Sequence, residues 1–177
     1  MLRTVIFRLV VIGCILSIWM CQALAQHPIA FPERSSATSP DGRYVLVNVD
    51  RDSEPFEHTI FLEDRKHKTR REIYRYERGV QVLWNPDGRQ FALSDFAGSD
   101  YATCNIMSVN QEIKAIPVLE NLLKMVSTKE KERIQRNDHL YIAGVRWIDG
   151  KRLLVKIWGH DSDTRTGFER YYRYKVP

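Results

Sequence analysis

The sequence lacks the local signatures of the common enzyme classes. It holds no His-Glu-x-x-His, no Gly-x-Ser-x-Gly, no phosphate-binding glycine loop, no Gly-x-Gly-x-x-Gly and no Cys-x-x-Cys. Zinc proteases, α/β-hydrolases, nucleotide-binding folds and thioredoxin-like redox proteins are therefore not indicated, although acid/base pairs assembled from distant positions stay open. Cysteine is scarce, with three in 177 residues. The one long apolar, charge-free stretch, Leu9 to Ala25, counts 17 residues, at the lower limit for a bilayer span, so a multi-span membrane protein is excluded. What is present is ordinary for a folded chain: 44% hydrophobic and 28% charged residues, with a formal net charge of +5.

Part of that charge belongs to an export signal. Arg3 and Arg8 precede an apolar run from Leu9 to Met20, and Ala23-Leu24-Ala25 forms a small-x-small cleavage site. Residues 1–25 read as a signal peptide with Gln26 as the first mature residue; retention as an uncleaved anchor is the second reading of the same stretch. Val11-Ile12-Gly13-Cys14 is similar to a lipidation box, but the apolar stretch continues beyond it, which favours cleavage after Ala25. The expected location is periplasmic or secreted. Contact with a membrane is expected only through an uncleaved segment, and no nucleic-acid partner is expected. Removal of two arginines and no acid lowers the net charge from +5 to +3 and leaves Cys104 as the single thiol. A lone cysteine forms no intramolecular disulfide, so the fold must rest on its core, for which about 152 residues suffice.

Residues 26–37 carry two prolines without periodicity and read as an extended leader, followed by a single β-rich domain over 38–177. Ser39-Pro40-Asp41-Gly42-Arg43 opens that domain and leads into the β-branched run Tyr44 to Val49. Trp84-Asn85-Pro86-Asp87-Gly88-Arg89 leads into Gln90 to Asp95, and Trp147-Ile148-Asp149-Gly150-Lys151-Arg152 leads into Leu153 to Trp158. Proline presets φ at the first turn position, aspartate caps its own turn, and glycine accepts φ > 0, so each unit predicts a hairpin. Further strands are expected at 58–63, 71–76, 101–107 and 168–175. Pro117 to Arg136 is the exception: Val118, Leu119, Leu122, Leu123 and Val126 recur at helical spacing, and Ser127 with Glu130 can cap a second helix. The predicted fold is mainly β, with antiparallel blade-like sheets from about three Asp-Gly hairpin repeats and one helical insert near 117–136.

The units at 39–47 and 84–93 resemble the repeats of the WD-repeat-like β-propellers, in particular the Tol-type propeller of the bacterial envelope. The third unit lacks the proline. The resemblance implies blade-like sheets and brings no catalytic residue with it. At 40–45 residues per blade the chain has room for three to four blades, so an open, single-domain set of sheets is expected.

Candidate binding residues fall into three groups. The run Arg65, Lys66, Lys68, Arg70 and Arg71 offers cations for an anionic surface, against the plainer reading of a charged hairpin tip guarding a sheet edge. Arg89, Ser94, Asp95 and Asp100, with Asp87, are candidates for a concave surface after the second turn. His160, Asp161 and Asp163 combine a titratable ring with carboxylates, and also have the composition of a plain polar turn. Asp50, Asp52 and Glu54 alternate like a calcium loop, but Pro55 replaces the glycine and Phe61 the bidentate glutamate. No catalytic residue, metal ligand or cofactor is expected. The function these residues suggest is non-catalytic binding of another protein or an anionic envelope component; the alternative is a small extracytoplasmic hydrolase or carbohydrate-binding enzyme using Asp95, Asp100, Asp161 and Asp163.

Overall fold

The computed structural model describes residues 27–51, 57–110, 115–164 and 166–177. Residues 1–26, which hold the signal-like stretch with Cys14 and Cys21, and the acids Asp52 and Glu54, lie outside the described residues. Within them the chain is mainly β. Sheet 1 has the order β2 (Ser36–Thr38), β3 (Tyr44–Arg51), β4 (Glu57–Asp64), β5 (Thr69–Tyr76). Sheet 2 runs β1 (Ile29–Phe31), β6 (Val80–Trp84), β7 (Gln90–Asp95), β8 (Thr103–Ser108), β9 (Ala115–Pro117). Sheet 3 runs β10 (His139–Asp149), β11 (Arg152–His160), β12 (Gly167–Lys175). Every strand pair is antiparallel, and the sheets do not close into a propeller.

The stretch 26–37 does more than lead into the domain. Ile29–Phe31 pairs with Val80–Val82 of β6, Ser36–Thr38 pairs with β3, and Phe31 is 2% exposed. Two short helices, α1 (Val118–Leu123) and α2 (Thr128–Gln135), interrupt the strands, and the Ser127 side chain accepts from Glu130 N at 3.3 Å as the cap of α2.

Sheet 2 is the middle layer. Val82, Trp84, Phe91, Leu93 and Met107 bury one face in a core shared with Leu46, Ile60 and Leu62 of sheet 1. Leu83, Ala92, Cys104 and Ile106 bury the other against Ile142, Val155 and Ile157 of sheet 3 and against Val118 and Ile134 of the helices. A strand covered on both faces loses the apolar/polar alternation, which is why Phe91-Ala92-Leu93-Ser94-Asp95 is buried throughout. Trp84 Nε1 donates to Ala37 O of sheet 1 at 3.2 Å, and Trp147 Nε1 of sheet 3 donates to Leu83 O of sheet 2 at 3.0 Å. A buried indole N–H needs a partner, and here both partners lie across a sheet boundary.

Candidate functional site

The three Asp-Gly turns meet at one end of the molecule. In the first, Gly42 N donates to Ser39 O at 2.9 Å; in the second, Gly88 N donates to Asn85 O at the same distance. Both glycines have positive φ, +73° and +68°. The third turn, Gly150-Lys151, has only two residues between the paired Asp149 and Arg152, and its glycine is not among those with positive φ. The missing proline thus coincides with a different turn class. The aspartate does the same work in all three. Asp41, Asp87 and Asp149 each accept, through Oδ1, the N–H of the basic residue two positions on, at 3.1, 2.8 and 2.9 Å.

A second correspondence closes each sheet at this end. The carbonyls of Arg43, Arg89 and Lys151 accept from Arg65 N, Val109 N and Val176 N, the residues that directly follow β4, β8 and β12. Neighbouring turns also touch. A Cβ built on Gly88 stands 3.0 Å from Asp41 Oδ1, and Asn85 Nδ2 donates to Gly150 O at 2.9 Å.

Among the described residues, two open clefts lie among the turns. The larger, about 1180 Å³, opens between sheets 1 and 2 and is lined by Arg43, Asp64, His67 and Arg71 among others. The smaller, about 480 Å³, opens between sheets 2 and 3 and is lined by Asp87, Arg89, Lys151 and Lys175. Gln90, Ser108 and Asn110, at the turn end of sheet 2, line both.

Charge is distributed unevenly between the two clefts. In the larger cleft Arg43 Nη2 meets Asp64 Oδ2 at 2.8 Å, and His67 Nδ1 lies 2.7 Å from the same oxygen. The Arg43 guanidinium, then His67 and two turn N–H groups, hold the Asp64 carboxyl far below the usual carboxylate range. Among the described residues the His67 ring is held by Asp64 and Arg43, with no hydroxyl joined to it. Arg71 Nη2 donates to Val109 O at 3.0 Å and to Asn110 O, joining sheet 1 to sheet 2. The cations of the larger cleft are thus engaged. In the smaller cleft, Arg89, Lys151 and Lys175 make no side-chain hydrogen bond or ion pair among the described residues.

The other candidate residues disperse. Arg65, Lys66 and Lys68 stand exposed on the β4–β5 turn, while Arg70 reaches Glu63 at 3.5 Å and covers the Phe61 ring. Arg89 and Asp95 flank β7 at opposite ends, about 20 Å apart at the rise of a strand, so Ser94 and Asp95 do not share a surface with Asp87 and Arg89. Asp95 is 6% exposed; Oδ2 accepts from Tyr74 at 2.6 Å and Oδ1 has no partner. Burial pushes its pKa up, opposed by the Tyr74 hydrogen bond. Asp100 lies in the loop before β8, Asp163 in the β11–β12 turn, and Asp161 accepts from Thr164 N and Oγ1 in that same turn. His160 stacks on His139 across strands, ring centroids 4.2 Å apart. Neither cleft is lined by Asp95, Asp100, His160, Asp161 or Asp163. Cys104 is buried, its thiol pushed up to about 11 by burial and hydrogen-bonded by Ser94. Among the described residues no three His, Cys, Asp or Glu side chains gather as metal ligands. No helix among them is long and apolar enough to cross a membrane.

Reading the sequence singled out Arg71 and Arg89 but missed Lys151, Lys175 and the Asp64–His67–Arg43 cluster. The spacing of Asp64 and His67, three residues apart across a turn, was the available signal for the cluster. Nothing local marked Lys175, which reaches the smaller cleft only because β12 ends beside the third turn. No family model, no curated protein and no solved structure matches this chain.

Proposed function

We propose that this is an exported, non-catalytic binding protein built from three copies of one blade-like unit, which contacts another protein or an envelope component through its Asp-Gly-turn end. The observation that carries the reading is the gathering of the three turns around two clefts that share Gln90, Ser108 and Asn110. Support for the repeated unit comes from the shared aspartate caps, from the three equivalent closing hydrogen bonds, and from the two tryptophans that reach back to the preceding sheet. A surface assembled from one turn per unit, recessed between sheets and carrying mixed polar and apolar groups, has the character of a recognition site. Export is carried by the signal-like residues 1–25.

The test has two parts. Fractionation followed by mass measurement should find the protein outside the cytoplasm with Gln26 at its N terminus; a cytoplasmic chain retaining residues 1–25 removes the export half of the reading. Cross-linking from probes placed at Arg89 and Lys151 should capture one reproducible envelope partner, and probes placed at Asp163 should not. Capture from the Asp163 end alone would overturn the assignment of the binding face.

A further inference from the structure

Six strands stand at sheet edges, and five of them are short or interrupted. β1, β2 and β9 have three residues each. β5 carries an extra residue, Ile73, between its pairings with Ile60 and Phe61 of β4. β10 has two register shifts against β11, and its Leu140 bonds through N and O to Asp100 O and Ala102 N. Interruptions of this kind keep an edge from pairing with a further strand. β12 has none of them. Gly167 to Lys175 pairs with β11 in unbroken register and without proline, and among the described residues no strand pairs with its other side.

The phase of the ladder decides which groups line that free side. Val176 N donates to Lys151 O and Asp161 N to Thr166 O, so these are hydrogen-bonded pairs. Alternation from them turns the backbone groups of Phe168, Arg170, Tyr172 and Tyr174 toward β11. Those of Gly167, Glu169, Tyr171, Arg173 and Lys175 face away from it. The same five residues are exposed, Tyr171 at 53%, while Phe168, Tyr172 and Tyr174 pack against the core. About Tyr171 the row is self-complementary in charge, with Glu169 two residues before it and Arg173 two residues after.

We propose that β12 pairs antiparallel with β12 of a second copy of this chain, about a two-fold axis at Tyr171. Tyr171 then faces its counterpart, Glu169 of each strand faces Arg173 of the other, and Gly167 faces Lys175. All five outward residues fall in hydrogen-bonded pairs. An axis at Glu169 or at Arg173 would instead set like charges opposite each other. Arg173 has no side-chain partner among the described residues. Glu169 meets Lys156 Nζ at 2.8 Å and the Tyr171 hydroxyl at 3.0 Å, and a carboxylate has acceptor sites for a further cation. Arg170 Nη1 donates to Glu169 O at 2.8 Å, which leaves that carbonyl a second lone pair for the facing N–H.

Sedimentation equilibrium of the purified protein should show a monomer–dimer equilibrium. E169R sets two cations opposite each other and R173E two anions, and each contact occurs twice across the axis. Either variant is expected to weaken dimerisation about tenfold or more. The charge-exchanged E169R/R173E restores opposite charges across the axis and should recover dimerisation. Amide exchange on the unsubstituted protein supplies a second readout. The N–H groups of Glu169, Tyr171 and Arg173 should gain protection as protein concentration rises, and those of Lys66 and Lys68 should not change. A protein that stays monomeric up to about 1 mM overturns the inference. So does a dimer whose Glu169, Tyr171 and Arg173 amides remain unprotected, single variants that dimerise like the parent, or a folded double variant no better than the singles.

Discussion

Gly42 and Gly88 occupy matching turn positions with nearly the same φ, yet their surroundings differ. A Cβ on Gly42 meets nothing within 4 Å, while one on Gly88 lies 3.0 Å from Asp41 Oδ1 of the neighbouring turn. Gly42→Ala therefore carries only the left-handed backbone penalty, about 1–2 kcal/mol, and Gly88→Ala should cost more because Asp41 must also shift. Equal urea-denaturation losses would mean that the first two turns do not touch in solution. Asp95 gives a pH-dependent counterpart. Its folded pKa is raised, mainly by burial, so the stability it contributes is fully present below its unfolded pKa and is lost as pH rises through the folded value. Asp95→Asn keeps an acceptor for Tyr74 and removes the charge. The variant should match the parent at low pH and exceed it in stability at neutral and higher pH, as read from denaturation midpoints at both. A gap that widens toward acid would contradict this.

The β4–β5 turn shows how one element can carry charge that looks functional and is largely local. Lys68 adopts φ of +54°, a conformation that glycine takes without penalty. Lys68→Gly is expected to stabilise the protein by about 0.5–1 kcal/mol while removing one cation of the basic run. Arg71 behaves differently, since its guanidinium links β5 to the carbonyls that follow β8. Arg71→Ala should cost about 1–3 kcal/mol, measured by thermal or chemical denaturation, as two carbonyls lose a charged donor. Five like charges in seven residues thus contain at least two roles that composition cannot separate. The helical insert was more legible. The spacing of Val118 and Leu122 and the cap at Ser127 are properties of neighbouring residues, and helices appear at Val118–Leu123 and Thr128–Gln135. The antiparallel strands were legible for the same reason, because proline, aspartate and glycine act within their own turns. Ile29–Phe31 was not: a three-residue strand beside Pro28 and Pro32 has no periodicity, and its pairing with β6 is made some fifty residues away.

Whole-molecule features were the least visible in the sequence, because they depend on how three sheets are set against one another. Asn85 meets Gly150, Gly88 meets Asp41, and Lys175 reaches the turn end only through that arrangement. The inter-sheet tryptophan bonds offer the test at this scale. Trp84→Phe and Trp147→Phe each remove the indole donor from a buried carbonyl, Ala37 O or Leu83 O, that keeps its ladder bond, and each should cost about 1 kcal/mol for the lost hydrogen bond. Surface substitutions such as Lys66→Gln should stay within about 0.5 kcal/mol by the same denaturation assay. If the tryptophan variants are as mild as the surface ones, the sheets are not joined in this way. The pair of indoles also makes the molecule its own optical instrument. Of the four tryptophans, Trp19 belongs to the signal-like segment and Trp158 stacks on Tyr141 on sheet 3, which leaves one emitter at each seam between sheets. With Trp158 replaced by phenylalanine, emission from W84F and W147F variants would time the opening of each seam separately and reveal whether the outer sheets detach together or in sequence.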